Sequence, residues 1–351
     1  MALMTRFLRR PFFFPVRVKR AGSILVIALW AVSMLSAFAV ILGYQVRQRL
    51  TLAHRLDEKE RLALAAEAGA RRGIAELLKE GQEKTFDHLG EPWSLNEEAF
   101  KDGQMQGLSY RVGYEHLNPI NRETKFWYGM ADEERKVNLN TAELLVMQRL
   151  FERLLGLSDT QAQELAAAVV DWRDENNEPA LPTAGAEDAY YQGLSAPYEA
   201  KDAPFEVPEE LLLVKGMTVP FFKELEGFIT VYGDGGVNIN TAPLEVLVAL
   251  GLSEDLAEDI ITYRQGQDGE CGTEDDLYFK APSEIVPQLS DVFALDADEI
   301  NSINRLTSSV LGTRSFTFFI HSTAEAAAGN AASRVYCVAD RKGDVFYWRA
   351  E

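Results

Sequence analysis

Apolar and polar positions along the chain fall into stretches of different period. Residues 24–42 read ILVIALWAVSMLSAFAVIL, an uncharged run of about 19 residues, the length of helix that crosses a hydrocarbon core. Beyond it apolar residues recur at three-and-four spacing (Leu52 and Leu56, then Leu62, Ala65, Ala66, Ala70, Ile74 and Leu77), which predicts an amphipathic helix continuing out of the apolar run. Gly69 and Gly73 interrupt it, each at a cost of about 1 kcal/mol relative to alanine. One long helix, greasy in its first half and amphipathic in its second, is the economical reading. Residues 107–116, 315–325 and 333–351 alternate aromatic and β-branched side chains and predict strands, with Arg341-Lys342-Gly343-Asp344 as the turn of a terminal hairpin. Strands on both sides of a helical block imply that the block is inserted into an α+β domain.

Inside the block the pattern repeats. VNLNTAELLVMQRLFERLLGLSDTQAQELAAAVVDWRD begins at Val137 and VNINTAPLEVLVALGLSEDLAEDIITYRQ at Val237. In each, Asn140 or Asn240 and the threonine after it are suited to cap a helix. A Gly-Leu-Ser break follows (Gly156 to Ser158, Gly251 to Ser253), where glycine permits a left-handed turn and serine caps a second helix. The unit is helix, turn, helix. It resembles the helix-hairpin-helix and SAM-like families, some of which bind DNA; the second glycine of the DNA-binding turn is missing here, and acids (Asp159; Glu254 and Asp255) follow both turns.

Charge sharpens this picture. The 351 residues carry 54 acidic and 35 basic side chains, a formal charge of −19, which argues against a duplex nucleic acid as main partner. The first 22 residues run the other way, with Arg6, Arg9, Arg10, Arg17, Lys19 and Arg20 and no acid; without them the charge is −25. Basic residues ahead of the apolar run hold the amino end in the cytoplasm and send the rest outward. The run is longer than a cleavable secretory signal requires and lacks its exit to a polar mature terminus; a plain single-span anchor is the alternative. Cys271 and Cys337 are expected in different domains, which favours unbonded thiols. His54, His88, His116 and His321 are scattered singly, and no zinc spacing, phosphate loop or nucleophile motif is present.

Two loops concentrate acid. Residues 171–194, DWRDENNEPALPTAGAEDAYYQGL, hold no basic residue after Arg173; crowded carboxylates and amides are what a hard cation with oxygen ligands requires, and a solvated acidic face is the bland alternative. Residues 266–278, GQDGECGTEDDLY, read as a flexible exposed loop or a second oxygen-ligand site. A carboxylate hydrolase and a membrane-tethered type IV pilus or DNA-uptake component are the competing functional readings.

A basic leader, Gly22, an uninterrupted apolar run and an amphipathic continuation together resemble the class III leader of type IV pilins and pseudopilins. Cleavage by prepilin peptidase is then implied between Gly22 and Ser23. The fifth mature position is usually glutamate in that group, whereas here it is Ile27. That departure resembles the K-type minor pseudopilins of type II secretion, the general secretion pathway protein K family, as does the Asp-Trp-x-Asp, Glu-Pro, Gly-Ala-Glu-Asp, Tyr-Tyr series of the first acidic loop. The resemblance implies an α+β pseudopilin fold, a long N-terminal helix packed on an antiparallel sheet, with a large inserted all-α domain containing two SAM-like or helix-hairpin-helix-like repeats. It implies the division 1–22 leader, 23–43 transmembrane helix, 44–120 first part of the pseudopilin domain, 121–312 insertion and 313–351 closing strands. It further implies Ca²⁺ at Asp171, Asp174, Asn177, Glu187 and Asp188, and filament packing through Ile27 and Trp30. The expected role is a non-enzymatic subunit at the tip of the pseudopilus that initiates or caps its assembly. Its partners would be the I- and J-type minor pseudopilins and prepilin peptidase, with the secretin or exported cargo as further candidates and no nucleic acid. The expected location is the inner membrane, single-pass, with a cytoplasmic amino end and a periplasmic bulk.

Overall fold

A computed structural model describes residues 21–81, 83–120, 122–182, 184–326 and 332–351; the basic leader lies outside the described residues. The chain divides into two units, Met1–Glu58 and Lys59–Glu351. Helix α1 (Ala21–Glu80) is continuous. Its share of the first unit exposes its apolar side chains: Leu25 and Trp30 are 76% and 73% exposed, and the most apolar window has mean hydropathy 2.6 with none of its residues buried.

In the second unit the rest of α1 packs on a sheet. Leu62, Ala65, Ala66, Ala70 and Leu77 are buried, one stripe at helical spacing. Gly69 and Gly73 lie on that stripe: a Cβ on Gly69 would overlap Ser322 Oγ, and one on Gly73 would come within 2.9 Å of Ile320 Cγ2. The glycines that weaken the helix locally are therefore what lets its backbone approach the sheet.

After α1 the chain runs through α2 (Glu97–Phe100), β1 (Gly103–Met105), β2 (Leu108–Val112), β3 (Tyr114–Leu117), β4 (Thr124–Trp127), β5 (Ala131–Asp132) and β6 (Val137–Asn138). Helices α3 (Leu144–Leu155), α4 (Asp159–Arg173), α5 (Asp188–Tyr191) and α6 (Val219–Leu225) follow, then β7 (Ile229–Thr230) and β8 (Val237–Asn238). Next come α7 (Leu244–Leu250), α8 (Glu254–Arg264), α9 (Ile285–Ser290), α10 (Ala297–Thr307) and β9 (Leu311–Gly312), and the chain closes with β10 (Thr317–Glu325), β11 (Ala332–Asp340) and β12 (Val345–Ala350). The main sheet is antiparallel in the order β1-β2-β10-β11-β12, with β5 also pairing β10. The closing hairpin turns where expected: Asp340 Oδ1 accepts from the N–H groups of Lys342 and Asp344, and Gly343 has a φ of 86°.

Three sequence expectations are corrected. The strand over 107–116 is broken at Gly113, where a Cβ would collide with the Trp127 carbonyl; β3 leaves the main sheet and pairs with β4 instead. The block 121–312 is not purely helical, since it contributes β5 to the main sheet and holds two short parallel pairs, β6 with β7 and β8 with β9. The Asn-Thr pairs do not cap helices: α3 and α7 start after Glu143 and Pro243, neither of which caps through its side chain.

The asparagines instead clamp loops, and the clamp occurs twice. Asn138 Oδ1 accepts from Asn140 N–H at 2.8 Å, as Asn238 Oδ1 does from Asn240 N–H at 2.9 Å. The Asn140 amide grips Phe205 by its N–H and C=O (2.7 and 3.0 Å), and the Asn240 amide grips Phe279 in the same way (both 2.9 Å). Arg173 closes α4 onto the carbonyls of Leu139 and Ala142; Arg264 closes α8 onto those of Ile239 and Ala242. The helix breaks match as well. Gly156 and Gly251 are left-handed, and Ser158 and Ser253 accept from the N–H groups of Gln161 and Leu256.

The second frame is bonded to the sheet. Asn238 Nδ2 donates to Asp87 O and Ser315 Oγ, and Thr241 Oγ1 donates to Asp132 Oδ2, which also accepts from Ser315 Oγ. Cys271 and Cys337 are both free thiols.

Candidate metal centre

The first acidic loop is organised by Asp171, in the last turn of α4. It is fully buried, and its two oxygens accept from the N–H groups of Ala180 and Ala186, both at 2.7 Å. Two backbone bonds to one carboxylate fold the loop back over the helix end. Gly185 permits the return, because a Cβ there would overlap Pro179. Asp188 opens α5 and accepts from Ala200 N–H at 2.8 Å; Asp174 accepts from Asn176 N–H at 3.2 Å. Asn177 is exposed.

Glu187 is the anomaly. It is 8% exposed, yet neither carboxylate oxygen has a hydrogen-bond partner among the described residues. Burial, then the charges of Asp171, Asp174, Asp202 and Asp188, push its carboxyl up from 4.5 to about 7. A buried carboxylate without partners costs several kcal/mol. Asp202 repeats the pattern: it has a φ of 49°, its Oδ1 is buried without a hydrogen-bond partner among the described residues, and burial followed by Asp188, Asp174 and Glu199 raises its carboxyl. Thus Asp171, Asp174, Glu187 and Asp188 of the expected set share one charged neighbourhood, and Asp202 joins them. Asp202 escaped sequence reading because it lies past the acidic run beside Lys201, where an ordinary charge pair is the natural assumption. Lys201 in fact pairs with Glu210 at 2.7 Å.

This donor set is all oxygen, negatively charged and partly unpartnered. Those are the properties a hard divalent cation of the calcium type requires, and they offer nothing to a soft thiolate-seeking metal. Among the described residues it is Glu80, Asp87 and Glu91, rather than the loop acids, that bring three carboxylates within 4.8 Å of one another, but there Lys84 stands among them (2.6 Å to Glu91, 3.5 Å to Glu80) and Arg341 pairs with Glu80 and Asp87. That group is neutralised by the chain's own cations.

The other expected site lies in the first unit. Gly22 and Ser23 fall in the first turn of α1, and Ile27 and Trp30 are exposed along it.

The family model of the type II secretion system protein K matches residues 120–234, which carry the first frame and its acidic loop. The type II secretion system protein K of Pseudomonas aeruginosa is 28% identical over 261 residues, 69% of this chain and 73% of its own length. That of Aeromonas hydrophila is 27% identical over 58% of this chain and 62% of its own. Among solved structures, a chain of the GspK-GspI-GspJ complex from the enterotoxigenic Escherichia coli type 2 secretion system shares the fold, with a TM-score of 0.64 at 18% identity, covering 85% of this chain and 99% of that one. With the family model on the first frame, relatives of one name matched along more than half of the chain and the same architecture in a solved structure, the chain is similar to the K-type minor pseudopilins of type II secretion.

Proposed function

We propose that this chain is a minor pseudopilin that sits at the tip of the pseudopilus, where it initiates or caps filament assembly for protein export and carries out no catalysis. The observation that carries the reading is α1 itself. Its first half exposes a continuous apolar surface that water does not tolerate, so that surface belongs in lipid or against sibling helices. At Ile27 it lacks the carboxylate that pilin-type subunits use to engage a neighbour's amine. A subunit without that group, enlarged by the insertion, is suited to end a filament and not to repeat along it. In this reading prepilin peptidase cuts after Gly22, α1 anchors the chain once in the inner membrane with its amino end cytoplasmic, and the secretin or cargo meets the periplasmic part. The solved complex of the K, I and J proteins supports the I- and J-type subunits as partners, and the duplicated frames are read as SAM-like repeats.

Calcium is the cation we assign to the first acidic loop, held by Glu187 and Asp202 together with Asp171, Asp174 and Asp188. When bound it neutralises crowded carboxylates so that the loop orders. The nucleic-acid alternative is disfavoured by the acids at the start of α8, where Glu254 already pairs with Arg153. Co-purification of the full chain from membranes with its I- and J-type partners tests the assignment. Recovery of a stoichiometric complex is the expected result, and a chain that never associates with either partner contradicts it.

A further inference from the structure

The two acidic loops occupy the same place in the duplicated frames. Residues 174–204 run from the arginine that closes α4 to the phenylalanine gripped by Asn140; residues 265–278 run from the arginine that closes α8 to the phenylalanine gripped by Asn240. Equivalent position does not bring equivalent chemistry. In the second loop Asp268, Asp275 and Asp276 are satisfied from within, and Glu270 by a lysine of β4. Asp275 accepts from the N–H groups of Gln267 and Asp268 (2.6 and 3.1 Å) and from Thr273 Oγ1 (2.8 Å). Asp276 accepts from Gly272 N–H at 2.7 Å, Asp268 from Glu270 N–H at 2.8 Å, and Glu270 pairs with Lys125 at 2.6 Å. In the first loop both oxygens of Glu187 and Oδ1 of Asp202 are buried with no hydrogen-bond partner among the described residues.

The frames also differ in what they hold. Asn238, Asn240 and Thr241 of the second reach Asp87, Ser315 and Asp132 beside the sheet, whereas Asn138 and Asn140 of the first bond to Tyr232, Phe205 and Val231 within the insertion. We infer that the duplication has divided two tasks: a bound divalent cation holds the first loop tightly shut and its removal loosens it, while the second is its cation-independent counterpart and keeps the insertion fastened to the sheet when the cation is withdrawn. This rests on the cation reading of the first loop and adds that chelation releases one frame and spares the other.

The test is hydrogen exchange on the full chain in detergent, in calcium and in chelator, with calcium titrated calorimetrically on the same sample. The amides of Ala180, Ala186 and Ala200, which donate to Asp171 and Asp188, should exchange at least about tenfold faster in chelator. The amides of Gln267, Gly272 and Phe279 should stay within about twofold. Glu187→Gln should reproduce the chelator pattern in the presence of calcium. Calcium binding accompanied by loss of protection in both loops, or by no change at Ala180 and Ala186, overturns the division while the cation reading stands. A titration with no bound calcium overturns both.

Discussion

Glu187 and Asn240 show how single residues govern this protein. Because burial raises the Glu187 carboxyl from 4.5 to about 7, the cation-free fold prefers its protonated form. The stability this residue contributes is complete below the unfolded value and is lost as pH rises toward 7. Thermal unfolding in chelator should therefore show the melting temperature falling between about pH 4.5 and 7, with a shallower fall in Glu187→Gln and in calcium-loaded protein. An equal slope in all three would contradict the assignment. Asn240 is nearly fully buried and ties Asp87 and Phe279 through three hydrogen bonds. Asn240→Ala should lower stability by about 3 kcal/mol in chemical denaturation, since buried backbone groups lose their partners.

At the scale of elements, the α1 stripe makes an unusual prediction of sign. An alanine placed for glycine in an ordinary helix interior stabilises by about 1 kcal/mol. Gly69 and Gly73 face Ser322 and Ile320 too closely for any added side chain, so Gly69→Val should destabilise by about 1–3 kcal/mol. A stabilised variant would mean that helix and sheet do not approach as described. This region also marks what the sequence made legible. The long helix, the closing hairpin and the helix-turn-helix duplication follow from spacing and turn chemistry, which are local. Asn before a helix ordinarily caps it, which is what the local sequence predicts; that Asn140 and Asn240 instead grip Phe205 and Phe279 depends on loops returning from dozens of residues away. The place of β5 in the main sheet and the break at Gly113 are likewise fixed by distant partners, β10 and Trp127. Four of the five expected ligands share a neighbourhood because the carboxylates cluster in sequence, and Asp202 was hidden because it joins them only through the fold.

In the whole molecule a membrane-compatible helix without an early carboxylate is joined to an insertion that a repeating subunit has no need to carry. Restoring the missing group tests that link: Ile27→Glu should leave folding of the second unit unchanged, since Ile27 lies in the exposed half of α1, while allowing incorporation at positions other than the end. Circular dichroism and filament counts would report the two effects separately. The most direct measurement is where the unaltered chain resides. Filaments assembled in cells and labelled through an exposed position of the insertion, then imaged singly, should carry label at one end only; label spaced along the shaft would contradict the central claim.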